Sequence, residues 1–171
     1  MFIVHSILLI VFNYELYLPS KGFATEGTKN SEPKMVSPDF ADLIWPDLAI
    51  HKFARLIEQG KPIPIYGDGS MMRDFTYVDD IIDGTVAAMQ RCVGFNIYNL
   101  GNASPISVSD LAARIEKSLG KRATREYLLD QPGDVERTYA DIAKAARELG
   151  YKPKTTIEEG LAKFVSWLRK Q

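Results

Sequence analysis

Beyond residue 45 the apolar positions fall into runs that alternate between helical and strand spacing. Leu48, Phe53, Leu56 and Ile57 recur at helical spacing after Pro46, a residue suited to a first helical turn, and Gly60 marks the stop. "IPIY" (63–66) reads as a short strand that runs into a Gly67–Asp68–Gly69 turn. "RDFTYV" (73–78) alternates in the strand manner, with Phe75 and Tyr77 on one face. Asp79 or Asp80 is placed to cap the next helix, whose apolar stripe is Ile81, Ile82, Val86 and Met89. "FNIYNLG" (95–101) is another strand.

The remaining elements are well punctuated. Ser107 and Asp110 resemble a capping box, Val108, Leu111, Ala112, Ile115 and Leu119 follow on one face, and Gly120 closes the helix. "TREYLL" (124–129) reads as a strand that enters the turn "DQPGD". Asp141 is placed to cap a helix ending at Gly150. Thr156 with Glu159 resembles a second capping box, before a stripe of Ile157, Leu161, Phe164, Val165 and Leu168. Helices and strands in this order predict an α/β fold. There is no internal repeat.

The first 45 residues break this rhythm. Ile7 to Phe12 is rich in β-formers and reads either as a buried strand or as a leader outside the fold. The apolar run is too short for a comfortable membrane span. No Lys or Arg precedes it and no small-residue cleavage site follows, so it does not read as a signal peptide. Residues 19–45 are dense in Pro, Gly, Ser, Thr and Lys and carry no apolar period. They read as linker, disorder or misassigned sequence. The expected division is therefore a leader over 1–45 that contributes little to the fold, and a folded lobe over 46–171.

Composition narrows the chemistry. With 21 basic and 22 acidic residues in 171, the chain shows no sign of a nucleic-acid or membrane-surface binder. Its single cysteine, Cys92, excludes an internal disulfide and fits a reducing compartment, so a cytoplasmic location is expected. His5 and His51 are the only histidines, which argues against a His-rich metal site or a Ser-His-Asp triad. His51 reads as part of an ordinary helix face. Gly67–Asp68–Gly69 is not a dinucleotide fingerprint, because Met72 holds the third glycine position and a strand follows.

Arg73 stands at a strand start after that turn, where its guanidinium can meet a phosphate bidentately or pair with Asp74 or Asp134. "PDLAIHKF", "IPIYGDGSMMRDFTYVDDIIDG", "FNIYNLGN" and "QPGDVERTYADIAKAARELGYKPKTTIEEGLAKFVSWL" occur in one order over Pro46 to about Arg169. Together they resemble the C-terminal, substrate-binding lobe of extended short-chain dehydrogenase/reductases that epimerise nucleotide sugars, most closely the UDP-glucuronate 4-epimerases. "QPGDV" followed by "TYADI" is the more telling part for the glucuronate branch.

The resemblance implies a Rossmann-type enzyme that interconverts UDP-glucuronate and UDP-galacturonate by oxidation and reduction at C4, with NAD in the complete enzyme and a UDP-sugar as its ligand. It allows a homodimer for the complete enzyme. It places Arg73 at the diphosphate, Tyr66 by the uracil and Asp134 at the nucleotide, with Gln131 where many relatives carry arginine.

The family's glycine-rich strand–helix turn is nowhere in this sequence. Tyr17 and Lys21 match its catalytic Tyr-x-x-x-Lys spacing, but Pro19 lies inside the pair, where a helix interior is needed. They are the only, and weak, catalytic candidates. The likeness fades upstream of Pro46, and Trp45 replaces the family's arginine. A truncated gene, a shifted frame, a wrongly chosen start or a split protein would each produce such a chain. The expectation is a lobe that lacks most of the dinucleotide-binding domain, binds no NAD alone and is inactive in isolation. The alternatives are a non-catalytic UDP-sugar binding module, a fragment of a 4,6-dehydratase or decarboxylase, and an inert product.

Overall fold

The computed structural model describes residues 2–3, 7–12, 49–130 and 133–170. Its elements are β1 (Phe2–Ile3), β2 (Ile7–Phe12), α1 (Ala49–Glu58), β3 (Ile63–Tyr66), β4 (Met72–Arg73), β5 (Thr76–Tyr77), α2 (Val78–Arg91), β6 (Phe95–Leu100), β7 (Ile106–Ser107), α3 (Val108–Leu119), β8 (Arg125–Leu128), α4 (Ala143–Leu149) and α5 (Ile157–Leu168). The predicted α/β order is present.

Two apolar clusters organise these elements. In the larger, Phe53 and Ile57 of α1, Leu111 and Ile115 of α3, and Leu161 and Phe164 of α5 close over Ile63 and Ile65 of β3. Alternation decides which face of β3 is buried: Ile63 and Ile65 point inward, and Pro64 and Tyr66 are only half-buried. β3 pairs in parallel with β8, Ile63 opposite Arg125 and Tyr66 opposite Leu128. His51 is part of this cluster's edge: it is buried, set edge-on to Phe164 and beside Trp167.

The smaller cluster joins α2, β6 and α4 through Ile81, Ala88, Cys92, Tyr98, Leu100, Ala145, Leu149 and Tyr151. Gly84 lets α2 approach closely, since a Cβ there would lie 2.8 Å from the Tyr151 ring and 2.9 Å from Leu100. β6 pairs antiparallel with β2 over six residues, Ile7 opposite Leu100 through Phe12 opposite Phe95. Ile7 to Phe12 is thus a strand. Pro46, Leu48 and the loop-like residues 19–45 lie outside the described residues.

Four expectations need correction. "RDFTYV" is not one strand: Asp74 and Phe75 interrupt the ladder between β4 and β5, and every residue from Arg73 to Tyr77 is buried. Neither Asp79 nor Asp80 caps α2. Tyr77 stands at the cap position and its side chain makes no capping bond, and the Asp80 carboxylate instead accepts from Lys154 N (3.0 Å) and Thr155 N (3.1 Å). Of the predicted α2 stripe only Ile81 is buried; Ile82, Val86 and Met89 are exposed at 53%, 43% and 75%, and Asp80, Gly84 and Ala88 take the inner face. Asp141 does not cap α4 directly but bonds Ala143 N at 2.9 Å, one residue ahead of the cap at Ile142.

The other two caps are in place. Ser107 accepts from Asp110 N at 3.0 Å, one half of the expected box, and Thr156 and Glu159 form a reciprocal box. α3 and α4 end at Gly120 and Gly150.

Candidate functional site

The site is assembled where three segments converge. The first is the Gly67–Gly69 turn after β3. Gly67 (φ +62°) and Gly69 (φ +78°) adopt a left-handed backbone open to glycine. Both are also closely packed: a Cβ on Gly67 would fall 2.2 Å from Asp130 Oδ1, and one on Gly69 would fall 2.2 Å from Ser109 Oγ. Gly67 N donates to Leu128 O (2.9 Å) and Ser109 N to Gly69 O (3.0 Å), so the turn is tied to β8 and to α3. Ser70 N bonds Asp68 Oδ1 at 2.8 Å; hydrogen bonding from the Ser70 side chain, and then from this N–H, holds the Asp68 carboxyl below its ordinary value.

The second segment, Met72–Asp74, and the third, Asp134–Thr138, are stitched to each other. Met72 N donates to Glu136 O (2.8 Å) and Thr138 N to Met72 O (3.0 Å), a parallel bridge between Met72 and Arg137. Asp74 N adds a bond to Thr138 Oγ1 (3.3 Å). The fully buried Asp74 carboxylate then gathers three backbone N–H groups: Ala103 at 3.0 Å, Ser104 at 3.3 Å and Ala140 at 3.4 Å. Sequence reasoning saw Asp74 only as a local ion-pair partner. No pattern of side chains marks its role, because its partners are backbone groups from two distant loops.

This stitching sets Arg73 against Asp134 across 61 residues of sequence, with Nη2 2.5 Å from Asp134 Oδ1. Nη1 donates to Met72 O at 2.8 Å, and Nη2 also faces Met71 Sδ at 3.7 Å. Of the two intramolecular partners open to Arg73, the structure has Asp134. The side chain of Arg73 is 10% exposed and that of Asp134 33%.

In front of this pair opens a cleft of about 1040 Å³, lined by Gly67, Asp68, Met72, Asp130, Asp134 and Arg137 among others. Met72 and Arg137 share a register position, and Arg137 stacks over the Tyr139 ring at 5.4 Å. Tyr66 is half-buried at the end of β3; its neighbour Gly67 lines the cleft, but Tyr66 does not. Gln131, Tyr17 and Lys21 lie outside the described residues. Among the described residues no group of His, Cys, Asp or Glu is arranged to hold a metal ion, and no helix is long and apolar enough to cross a membrane.

The arrangement offers a carboxylate on the wall of an open cleft, paired to the largely buried Arg73, which does not itself line the cleft, with the Arg137 cation on the same wall. Comparison with known proteins identifies the family. Residues 42–164 match the model of the GDP-mannose 4,6 dehydratase family, within the extended short-chain dehydrogenases/reductases. The chain belongs to that family. It is similar to the UDP-glucuronate 4-epimerase of Thermodesulfobacterium geofontis, 46% identical over 123 residues that cover 71% of this chain and 38% of that enzyme. Among solved structures it is similar to the UDP-glucuronic acid 4-epimerase of Bacillus cereus in complex with UDP-glucuronic acid and NAD, at 38% identity and a TM-score of 0.66, covering 72% of this chain and 41% of that one. It is also similar to a dTDP-glucose 4,6-dehydratase of Streptomyces venezuelae, at 29% identity and a TM-score of 0.69, covering 74% and 39%.

The chain therefore spans about two-fifths of the length of these family members. Related epimerase structures hold NAD. The residues of this chain do not fit that cofactor. Its one Gly-x-Gly joins two strands, whereas a dinucleotide needs a glycine-rich turn between a strand and a helix N-terminus.

Proposed function

We propose that this chain is the nucleotide-sugar lobe of an NAD-dependent UDP-sugar 4-epimerase acting on UDP-glucuronate and UDP-galacturonate. In this reading Arg73 meets the diphosphate, Asp134 accepts from ribose hydroxyls, Tyr66 lies by the uracil and Gln131 completes the nucleotide side. Residues 46–171 form the lobe. The observation that carries the reading is the convergence of Arg73 and Asp134 beside one cleft, built by backbone bonds between segments more than 60 residues apart. Two of the guanidinium's five N–H groups, Nε–H and one on Nη1, have no partner among the described residues and remain for an anion. Binding without turnover follows for the chain alone, since hydride transfer is the cofactor's chemistry.

Calorimetry tests this. A charge-assisted contact to phosphate contributes about 1.5–3 kcal/mol, so Arg73→Ala is expected to weaken UDP binding roughly ten- to a hundred-fold. Uridine is expected to bind more weakly than UDP. Equal binding of uridine and UDP by the wild type, or unchanged UDP binding by Arg73→Ala, would remove the diphosphate from the reading.

A further inference from the structure

Arg137 is set into the cleft wall by its backbone. Met72 N donates to Glu136 O (2.8 Å) and Thr138 N to Met72 O (3.0 Å), so residues 136–138 are fixed to β4. Met72 and Arg137 are bridge partners whose side chains leave the backbone on one face, and both line the cleft. The guanidinium carbon lies 5.4 Å from the centre of the Tyr139 ring, which attracts the charge. Among the described residues the guanidinium has neither an ion pair nor a hydrogen bond. Yet Asp68, Asp130, Asp134 and Glu136 line the same cleft, and Arg137 is the only cation among its described lining residues. Of these four carboxylates Asp134 alone is in an ion pair among the described residues, with Arg73. An anion that enters the cleft is opposed by the other three, and Arg137 is the one group on the wall that offers it both charge and donors.

We propose that Arg137 is a second phosphate-binding residue of this site, which meets the diphosphate of the nucleotide from the cleft wall and offsets the carboxylates around it. The inference rests on the diphosphate reading of Arg73 given above. A diphosphate carries two phosphoryl groups. The two Arg73 N–H groups without a partner among the described residues serve one of them, and the unpaired fork of Arg137 serves the other.

The test is calorimetry on the full chain at fixed ionic strength without divalent cations, with UDP and uridine as probes, on the wild type, Arg137→Ala, Arg137→Lys and Arg73→Ala. Arg137→Ala is expected to weaken UDP binding at least about fivefold, to leave uridine binding unchanged and to melt like the wild type. Arg137→Lys is expected to recover part of the loss, because it keeps the charge and gives up the fork. UDP binding that is unchanged in Arg137→Ala but falls in Arg73→Ala overturns the second contact and leaves the diphosphate reading standing. An equal loss for UDP and uridine in Arg137→Ala also overturns it, since the residue would then act on the shape of the cleft. UDP binding unchanged in both alanine variants, or a wild type that binds UDP no better than uridine or binds neither probe, overturns both.

Discussion

At the scale of single residues, the most demanding group is Asp74. Its carboxylate is fully buried and is met by three backbone N–H groups from two loops. Each N–H left without a partner in the interior costs about 1–3 kcal/mol, so Asp74→Ala is expected to lose about 3 kcal/mol or more. For a domain of this size that is a fall of roughly 10 °C in Tm, with Asp74→Asn losing less because it keeps one acceptor. A thermal melt of Asp74→Ala within a few degrees of the wild type would show that water replaces the carboxylate. His51 carries the pH dependence. Burial, and then the nearby Arg55 charge, hold its pKa below 6.5, so the unfolded chain binds the proton more readily than the folded one. The contribution of neutral His51 is complete above pH 6.5 and is lost as pH falls toward the lowered value. Melts between pH 7 and 5.5 are expected to show a falling Tm that flattens in His51→Gln; an equal slope in both would place the titration elsewhere. How much of this was legible follows from the kind of partner each residue has. Arg73 announced itself by a turn and a strand start, and its pairing with Asp134 was one of two open options. Asp74 and Asp80 gave no signal of the roles they have, since backbone N–H groups leave no trace in a sequence. The positive φ of Ala103 (+54°) beside Asp74 was equally invisible.

At the scale of elements, helical period locates a stripe but not the side that finds a neighbour. On α3 and α5 the predicted stripes are the faces packed into the larger cluster, because each helix has partners on that side. On α2 the same rule fails: Ile82, Val86 and Met89 repeat at helical spacing, yet they face outward, and the buried side is built from Asp80, Ile81, Gly84 and Ala88. Small residues and a bonded carboxylate permit close approach to Tyr151 and Leu100, which a larger side chain at Gly84 would prevent. Val93, and Phe95 and Ile97 of β6, are exposed as well, apolar surface of the kind that drives self-association. Replacing Ile82, Val86 and Met89 together by Glu, Lys and Glu is expected to leave Tm within about 5 °C, as exposed substitutions change stability by only about 0.5 kcal/mol each. The same change is expected to move light-scattering profiles toward the monomer. A loss of the cooperative melt would instead mean that this face packs against part of the chain. Strand legibility followed burial in the same way. "IPIY" and "FNIYNL" alternate cleanly and form β3 and β6, whereas "RDFTYV" is buried on both sides and broken at Asp74, where side-chain bonds replace the ladder.

At the scale of the whole molecule, a nucleotide-sugar lobe and a hydride-transferring enzyme make different demands. Epimerisation at C4 needs a nicotinamide held against the sugar and a general base at the hydroxyl. The first requires a strand–turn–helix whose glycines let the backbone approach a pyrophosphate, and this sequence has none. The second requires a Tyr and a Lys one helical turn apart. Tyr17 and Lys21 have the spacing, but Pro19 between them would cost a helix interior about 3 kcal/mol. The isolated chain is therefore expected to bind UDP without converting UDP-glucuronate to UDP-galacturonate when incubated with NAD. The measurement is product formation against a no-protein control, with Tyr17→Phe in parallel. Turnover that disappears in Tyr17→Phe would restore the Tyr17–Lys21 pair as the catalytic couple. Turnover that survives would place the base, and the cofactor contacts it depends on, in residues with no resemblance to the family's own.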